Sequence, residues 1–132
     1  MISTKGRYAL CVMIDLAEHS GENYIPLKDI AERQQISKKY LESIVKVLVK
    51  GNMVIGVSGK GGGYRLSRNT EDFSIGEIIE LTEGTMAAVA CLKNDALPCP
   101  RADICETLPF WKEYDQLIHD FLYGKKLSDL IQ

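Results

Sequence analysis

No apolar run in this chain of 132 residues is long enough to cross a membrane. The longest early stretch, Ala9 to Ile14, meets Asp15 and then Glu18, and no signal-cleavage pattern follows it, so a cytoplasmic protein is expected. The four cysteines contain no C-x2-4-C pair of the kind that usually holds structural zinc. Without a secretory signal they do not read as a disulfide framework either. Neither a Ser/His/Asp arrangement nor paired carboxylates stand at a catalytic spacing, so neither an enzyme nor a small-molecule substrate is expected. The run Gly59-Lys60-Gly61 lacks the Ser or Thr after its lysine, and the helix, that a phosphate-binding P-loop needs. Net charge is scarce too, since 16 Lys and Arg against 18 Asp and Glu leave -2.

That near-balance hides a division along the chain. Residues 1–27, 28–68 and 69–132 carry -1, +6 and -7. A basic middle beside an acidic tail suits a double-stranded-DNA-facing module joined to a regulatory or oligomerisation part.

The local patterns agree. Tyr8, Val12 and Leu16, flanked by Ala9, Met13 and Ala17, recur at helical spacing after Thr4 and predict a helix to about His19. Leu10, Cys11 and Ile14 lie off that stripe and form a second apolar face. After Pro26, a short helix is expected from Leu27 to Arg33. Gln34 to Ile36 make a tight turn, and Ser37 caps a longer helix that buries Leu41, Ile44, Val45 and Leu48. Its outer face carries Lys38, Lys39, Glu42, Lys46 and Lys50, with Gly51 and Asn52 as a left-handed stop. Two helices of unequal length around a short turn are the helix-turn-helix arrangement. Two short strands, Met53 to Val57 and Tyr64 to Leu66, then flank a glycine-rich tip and predict a wing. There Lys60 and Arg65 are suited to neutralising phosphates.

Ser74 and Glu77 form a capping box for a helix to about Glu83, stopped by Gly84. A loop follows from 84 to 107, holding three of the four cysteines. The last helix begins near Pro109, with Leu108, Trp111, Tyr114, Leu117, Ile118, Phe121 and Leu122 on its apolar side. It is expected both to pack on the core and to pair with a second copy. The fold class is therefore mainly α: a winged helix-turn-helix with a two-stranded wing and a long C-terminal dimerisation helix. The expected division is 1–83 as the DNA-binding domain, 84–107 as the cysteine-bearing loop and 108–132 as the dimerisation helix and tail.

Cys91, Cys99 and Cys105 are spaced C-x7-C-x5-C. Thiolates at such a spacing suit an iron-sulfur cluster, while zinc, thiol redox sensing and the absence of any role stay open on spacing alone. A small redox carrier is the remote alternative.

The opening Ser3-Thr4-Lys5-Gly6-Arg7-Tyr8-Ala9, Ile36-Ser37 with Tyr40-Leu41-Glu42, the wing ending Gly61-Gly62-Gly63-Tyr64, and the three cysteines followed by Trp111 resemble the IscR/NsrR/CymR-type family of winged-helix transcription regulators. The resemblance covers nearly the whole chain, and the cysteine trio makes it similar to the cluster-binding branch. It implies a homodimeric DNA-binding repressor, with Cys91, Cys99 and Cys105 ligating a cluster of 2Fe-2S type. It implies that Ser37, Lys39 and Glu42 approach bases, and we count Thr4, Lys5, Lys38, Lys46, Ser58, Lys60 and Arg65 with them as DNA contacts. Ser58 stands where the family often has a wing arginine, leaving Lys60 as a phosphate contact. Where relatives place a histidine three residues after the last cysteine, this chain has Leu108, which cannot ligate iron. Cys11, on the first helix of a partner subunit, and Glu106 are the candidates for a fourth ligand, while His19 and His119 are poorly placed. A thiol-redox or zinc-containing repressor of the same fold, acting in cysteine metabolism or nitrosative stress, is the alternative.

Overall fold

The computed structural model describes residues 2–19, 21, 23–93, 96–97 and 99–131. In chain order these form α1 (Thr4–His19), α2 (Leu27–Gln34), α3 (Lys38–Lys50), β1 (Val54–Val57), β2 (Gly63–Leu66), α4 (Ile75–Glu83) and α5 (Leu108–Gly124), with short 3-10 turns between and after them. Ala9, Val12, Met13 and Leu16 of α1 are buried against Ile30 of α2, Leu41, Ile44, Val45 and Leu48 of α3, and Ile75, Ile78 and Ile79 of α4. Burying each of the Val, Leu, Ile and Met side chains among these stabilises the fold by about 1.5–3 kcal/mol. The mainly helical winged architecture expected from the periodicities is the one observed.

One buried charge sits inside this packing. Asp15 of α1 is 1% exposed, and its carboxylate receives Arg33 Nε at 3.0 Å, Arg33 Nη2 at 2.8 Å and Gln34 Nε2 at 2.9 Å. Burial pushes its carboxyl pKa up, but these hydrogen bonds and the charge of Arg33 outweigh it and hold the group below the usual range. The end of α2 is thereby tied to α1. Directly after it Gln35 takes the left-handed conformation, at φ 53, that turns the chain into α3.

The stop of α3 differs from the expected one. Gly51 has φ -82, and Asn52 alone takes the left-handed conformation, at φ 61. The glycine is needed for space instead, because a Cβ at Gly51 would overlap the Leu81 side chain of α4.

β1 and β2 pair antiparallel in the register Val54 to Leu66 and Val57 to Gly63. The wing is held to the helices by Ile25 and Tyr64, whose backbone amides and carbonyls exchange two hydrogen bonds of 2.8 Å. The Ser74 and Glu77 capping box opens α4 as expected, and Gly84, at φ 84, ends it.

The apolar residues of α5 divide between two faces. Trp111, Ile118 and Leu122 are half-buried toward the rest of the chain, whereas Phe110, Tyr114, Leu117 and Phe121 are exposed. Tyr123 lies across Gly76, where a Cβ would overlap its ring, and donates to Glu80. Burial and the Glu80 carboxylate push its pKa up to about 12. Beyond α5 the chain turns back: Lys126 bridges to Ser74, and Leu127, fully buried, donates its N–H to the Phe73 carbonyl at 3.0 Å.

Candidate functional site

Ser37, Lys38, Lys39, Glu42 and Lys46 are all exposed along one side of α3, as their spacing requires. Ser37 caps the helix, its Oγ accepting the Tyr40 N–H at 3.2 Å. Tyr40 in turn meets Tyr8 edge-on at 5.8 Å, pinning the start of α3 to α1. Thr4 lies one turn before Tyr8 on the same face of α1. Thr4 is exposed and Lys5 half-buried in this first turn of α1.

An open groove separates α3 from the wing, lined by Glu42, Val45, Lys46, Val49, Gly56 and Tyr64. Ser58 and Lys60 are exposed at the wing tip, which turns through Gly59 at φ 90 and Gly61 at φ 77. Arg65 goes elsewhere. It pairs across the strands with Ile55, lies 4.9 Å over the Tyr24 ring, and lines a hollow with Ala17 and Arg68 on the side of the wing away from α3. Alternation along β2 causes this, since Tyr64 takes the groove side.

Cys91, Cys99 and Cys105 are free thiols outside the core, the first two exposed and the third partly so. Cys91 sits in a 3-10 turn, Ala90–Leu92, and Cys105 just precedes α5. Contact with the Thr107 hydroxyl at 3.4 Å, then the backbone amides at Thr107 and Leu108, holds the Cys105 thiol below its usual pKa. Cys11 is half-buried on α1, and Glu106 is exposed. Among the described residues, no three His, Cys, Asp or Glu side chains gather around one metal position. The donor chemistry nonetheless fits a thiophilic group, since all four sulfurs are unbridged. The loop is anchored where it leaves the core, its Ala88 N–H reaching Asp115 Oδ1 of α5 at 2.8 Å.

Sequence reasoning missed Asp15 with Arg33 and Gln34, and the carboxylate of Glu83, the last residue of α4, which accepts from Ser3 ahead of α1. Asp15 left a trace as a charge interrupting an apolar stripe. Nothing in the sequence pointed to its partners or to Glu83.

A capped recognition helix with an exposed basic side, fronted by a glycine-tipped hairpin, defines a winged helix-turn-helix DNA-binding regulator. The chain matches the Rrf2 family, described as iron-dependent transcriptional regulators, over residues 2–132, and it belongs to that family. It is 38% identical over 130 residues to the HTH-type transcriptional regulator IscR of Pectobacterium atrosepticum, covering 98% of this chain and 78% of that one. Among solved structures, CymR, the global cysteine regulator of B. subtilis, superposes with a TM-score of 0.79 at 34% identity, covering 98% of this chain and 95% of that one. IscR of T. potens superposes with a TM-score of 0.76 at 36% identity, covering 98% and 85%. These relatives are transcriptional regulators, a non-enzymatic role. No helix among the described residues is long and apolar enough to cross a membrane.

Proposed function

We propose that this chain is a homodimeric repressor that senses iron-sulfur status through a cluster of 2Fe-2S type held by Cys91, Cys99 and Cys105. The observation that carries this reading is three unbridged thiols on one loop outside the core, in a chain of an iron-dependent regulator family. Cys11 from a partner's α1, or Glu106, completes the ligand set. When bound, the cluster supplies a redox- and supply-sensitive brace between the loop and the DNA-binding unit. On the DNA side, Ser37, Lys39 and Glu42 approach base edges, with Lys38 and Lys46 beside them. Thr4, Lys5, Ser58 and Lys60 hold the phosphate backbone. Arg65 remains in the proposed set as an outer contact of the wing. Residues 1–83 then act as the DNA-binding unit, 84–107 as the cluster loop and 108–132 as the dimerisation helix and tail, in a cytoplasmic protein.

Iron and sulfide analysis of anaerobically purified protein tests the reading, together with its visible absorbance. Cys99→Ala should abolish that absorbance and leave the helical circular dichroism intact; iron-free, colourless wild-type protein would overturn the cluster. A second reading, a thiol-redox repressor of the same fold, draws on the same free thiols, two of them exposed and the third partly so. It requires full repressor activity without iron and loss of that activity on reversible thiol oxidation. Stoichiometric zinc in place of iron would instead favour a zinc-containing repressor.

A further inference from the structure

The first turn of α1 is capped from a distance. In a capping box the N-cap serine bonds an amide three residues on, while a glutamate at that third position bonds back to the serine N–H. Ser74 and Glu77 do this at the start of α4. α1 has no acidic residue in its first turn, and the residue three beyond Ser3 is Gly6. Half of the box is nevertheless local: the Gly6 N–H donates to Ser3 Oγ at 3.3 Å. The other half comes from Glu83, the last residue of α4. Glu83 Oε1 accepts the Ser3 N–H at 2.8 Å and the Ser3 hydroxyl at 2.6 Å.

Gly6 makes this arrangement possible. A Cβ at that position would overlap Glu83 Oε1. Glycine ranks among the poorest helix formers, so its presence in a helix calls for such a steric reason. Glu83 also directly precedes Gly84, where the cysteine-bearing loop leaves the core. One carboxylate therefore links the root of that loop to the turn carrying Thr4 and Lys5.

The geometry points to Glu83 as a positioning residue for DNA binding: it fixes the first turn of α1 so that Thr4 and Lys5 meet the phosphate backbone. This rests on the reading of those two residues as phosphate contacts. Its sign is opposite to that of simple charge, because deleting an acid near a DNA face should tighten binding, whereas deleting a positioning contact weakens it.

The test measures binding of the full chain to a fluorescent duplex of mixed sequence, about 30 base pairs long, across a range of salt concentrations. Hydrogen exchange at residues 4–7 and thermal unfolding accompany it. Glu83→Ala should bind several-fold more weakly, with the salt slope reduced by about one unit, and should speed exchange at those amides. Glu83→Gln keeps an acceptor without the charge and should restore both. Gly6→Ala displaces the carboxylate while favouring the helix, so it should reproduce the DNA defect with no loss of melting temperature. Lys5→Ala is the reference for the underlying reading and should also lower the slope. If Lys5→Ala lowers the slope while Glu83→Ala binds as tightly as wild type or tighter, the positioning role is overturned. A fall in melting temperature with an unaltered slope, unrescued by Glu83→Gln, overturns it too. If Lys5→Ala itself leaves the slope unchanged, the DNA assignment of α1 has failed, and the role of Glu83 fails with it.

Discussion

Asp15 shows how one side chain can set the geometry of a DNA-binding unit. Its two-pronged pairing with Arg33 fixes α2 against α1, and Gln34 satisfies a further lone pair. Arg33→Ala would take two hydrogen bonds from a buried carboxylate, but the guanidinium is itself about a third exposed and Gln34 stays in place, so a cost of about 1–3 kcal/mol is expected in denaturant unfolding. The same carboxylate makes stability depend on pH. Its folded pKa lies below its unfolded value, so its contribution is complete above the ordinary aspartate range near about 3.9 and is lost as pH falls through the depressed folded value. Acid titration should therefore destabilise the wild type more steeply below about pH 4 than Asp15→Asn; parallel acid limbs would show that Asp15 is not the group responsible.

α3 was legible almost residue by residue. Leu41, Ile44, Val45 and Leu48 are buried and the lysines exposed because both follow from a 3.6-residue period and a serine cap. The wing was only half legible. Its strands and glycine tip follow from composition, but the side of the sheet that Arg65 occupies depends on register, which Ile25 and Tyr64 help to set. Lys39→Ala and Lys60→Ala should each flatten the salt dependence of DNA binding by about one unit of slope. Equal slopes for both variants and the wild type would mean that the DNA lies on another face. Arg65→Ala, facing away from the groove, should change the slope less than either.

Along α5 the described residues present a large exposed apolar face. Phe110, Tyr114, Leu117 and Phe121 are 59%, 44%, 66% and 59% exposed along α5, while the other face of the helix packs inward. A continuous exposed stripe of that kind marks an interaction surface, and a second copy fits the two-fold habit of helix-turn-helix proteins. Leu117→Asp with Phe121→Asp should convert a dimer to a monomer in analytical ultracentrifugation while preserving helical content, since neither side chain enters the core. A wild-type monomer, or a double variant that stays dimeric, would remove α5 from the interface. Charge separates along the same molecule: the +6 of residues 28–68 lies in α2, α3 and the wing, apart from the acidic chain that follows.

Where α1, α3 and α4 begin, which residues α3 buries and where the hairpin turns could be read directly, because caps, periods and turn residues act over a few positions of chain, whereas the stop of α3 and the division of α5 into two faces could not. The exposed basic side of α3 and the candidate thiols were visible for the same reason. The contacts that fasten these parts together were not. Asp15 and Arg33 are 18 positions apart, Glu80 and Tyr123 are 43 apart, and Ser3 and Glu83 are 80 apart. Each is a pairing of ordinary residue types, many of which the chain contains, and only the packing of α1 against α2 and α4, and of α4 against α5, selects among them. Folding supplies that selection, since a polar group drawn out of water must find its partner among whatever groups the core brings within reach.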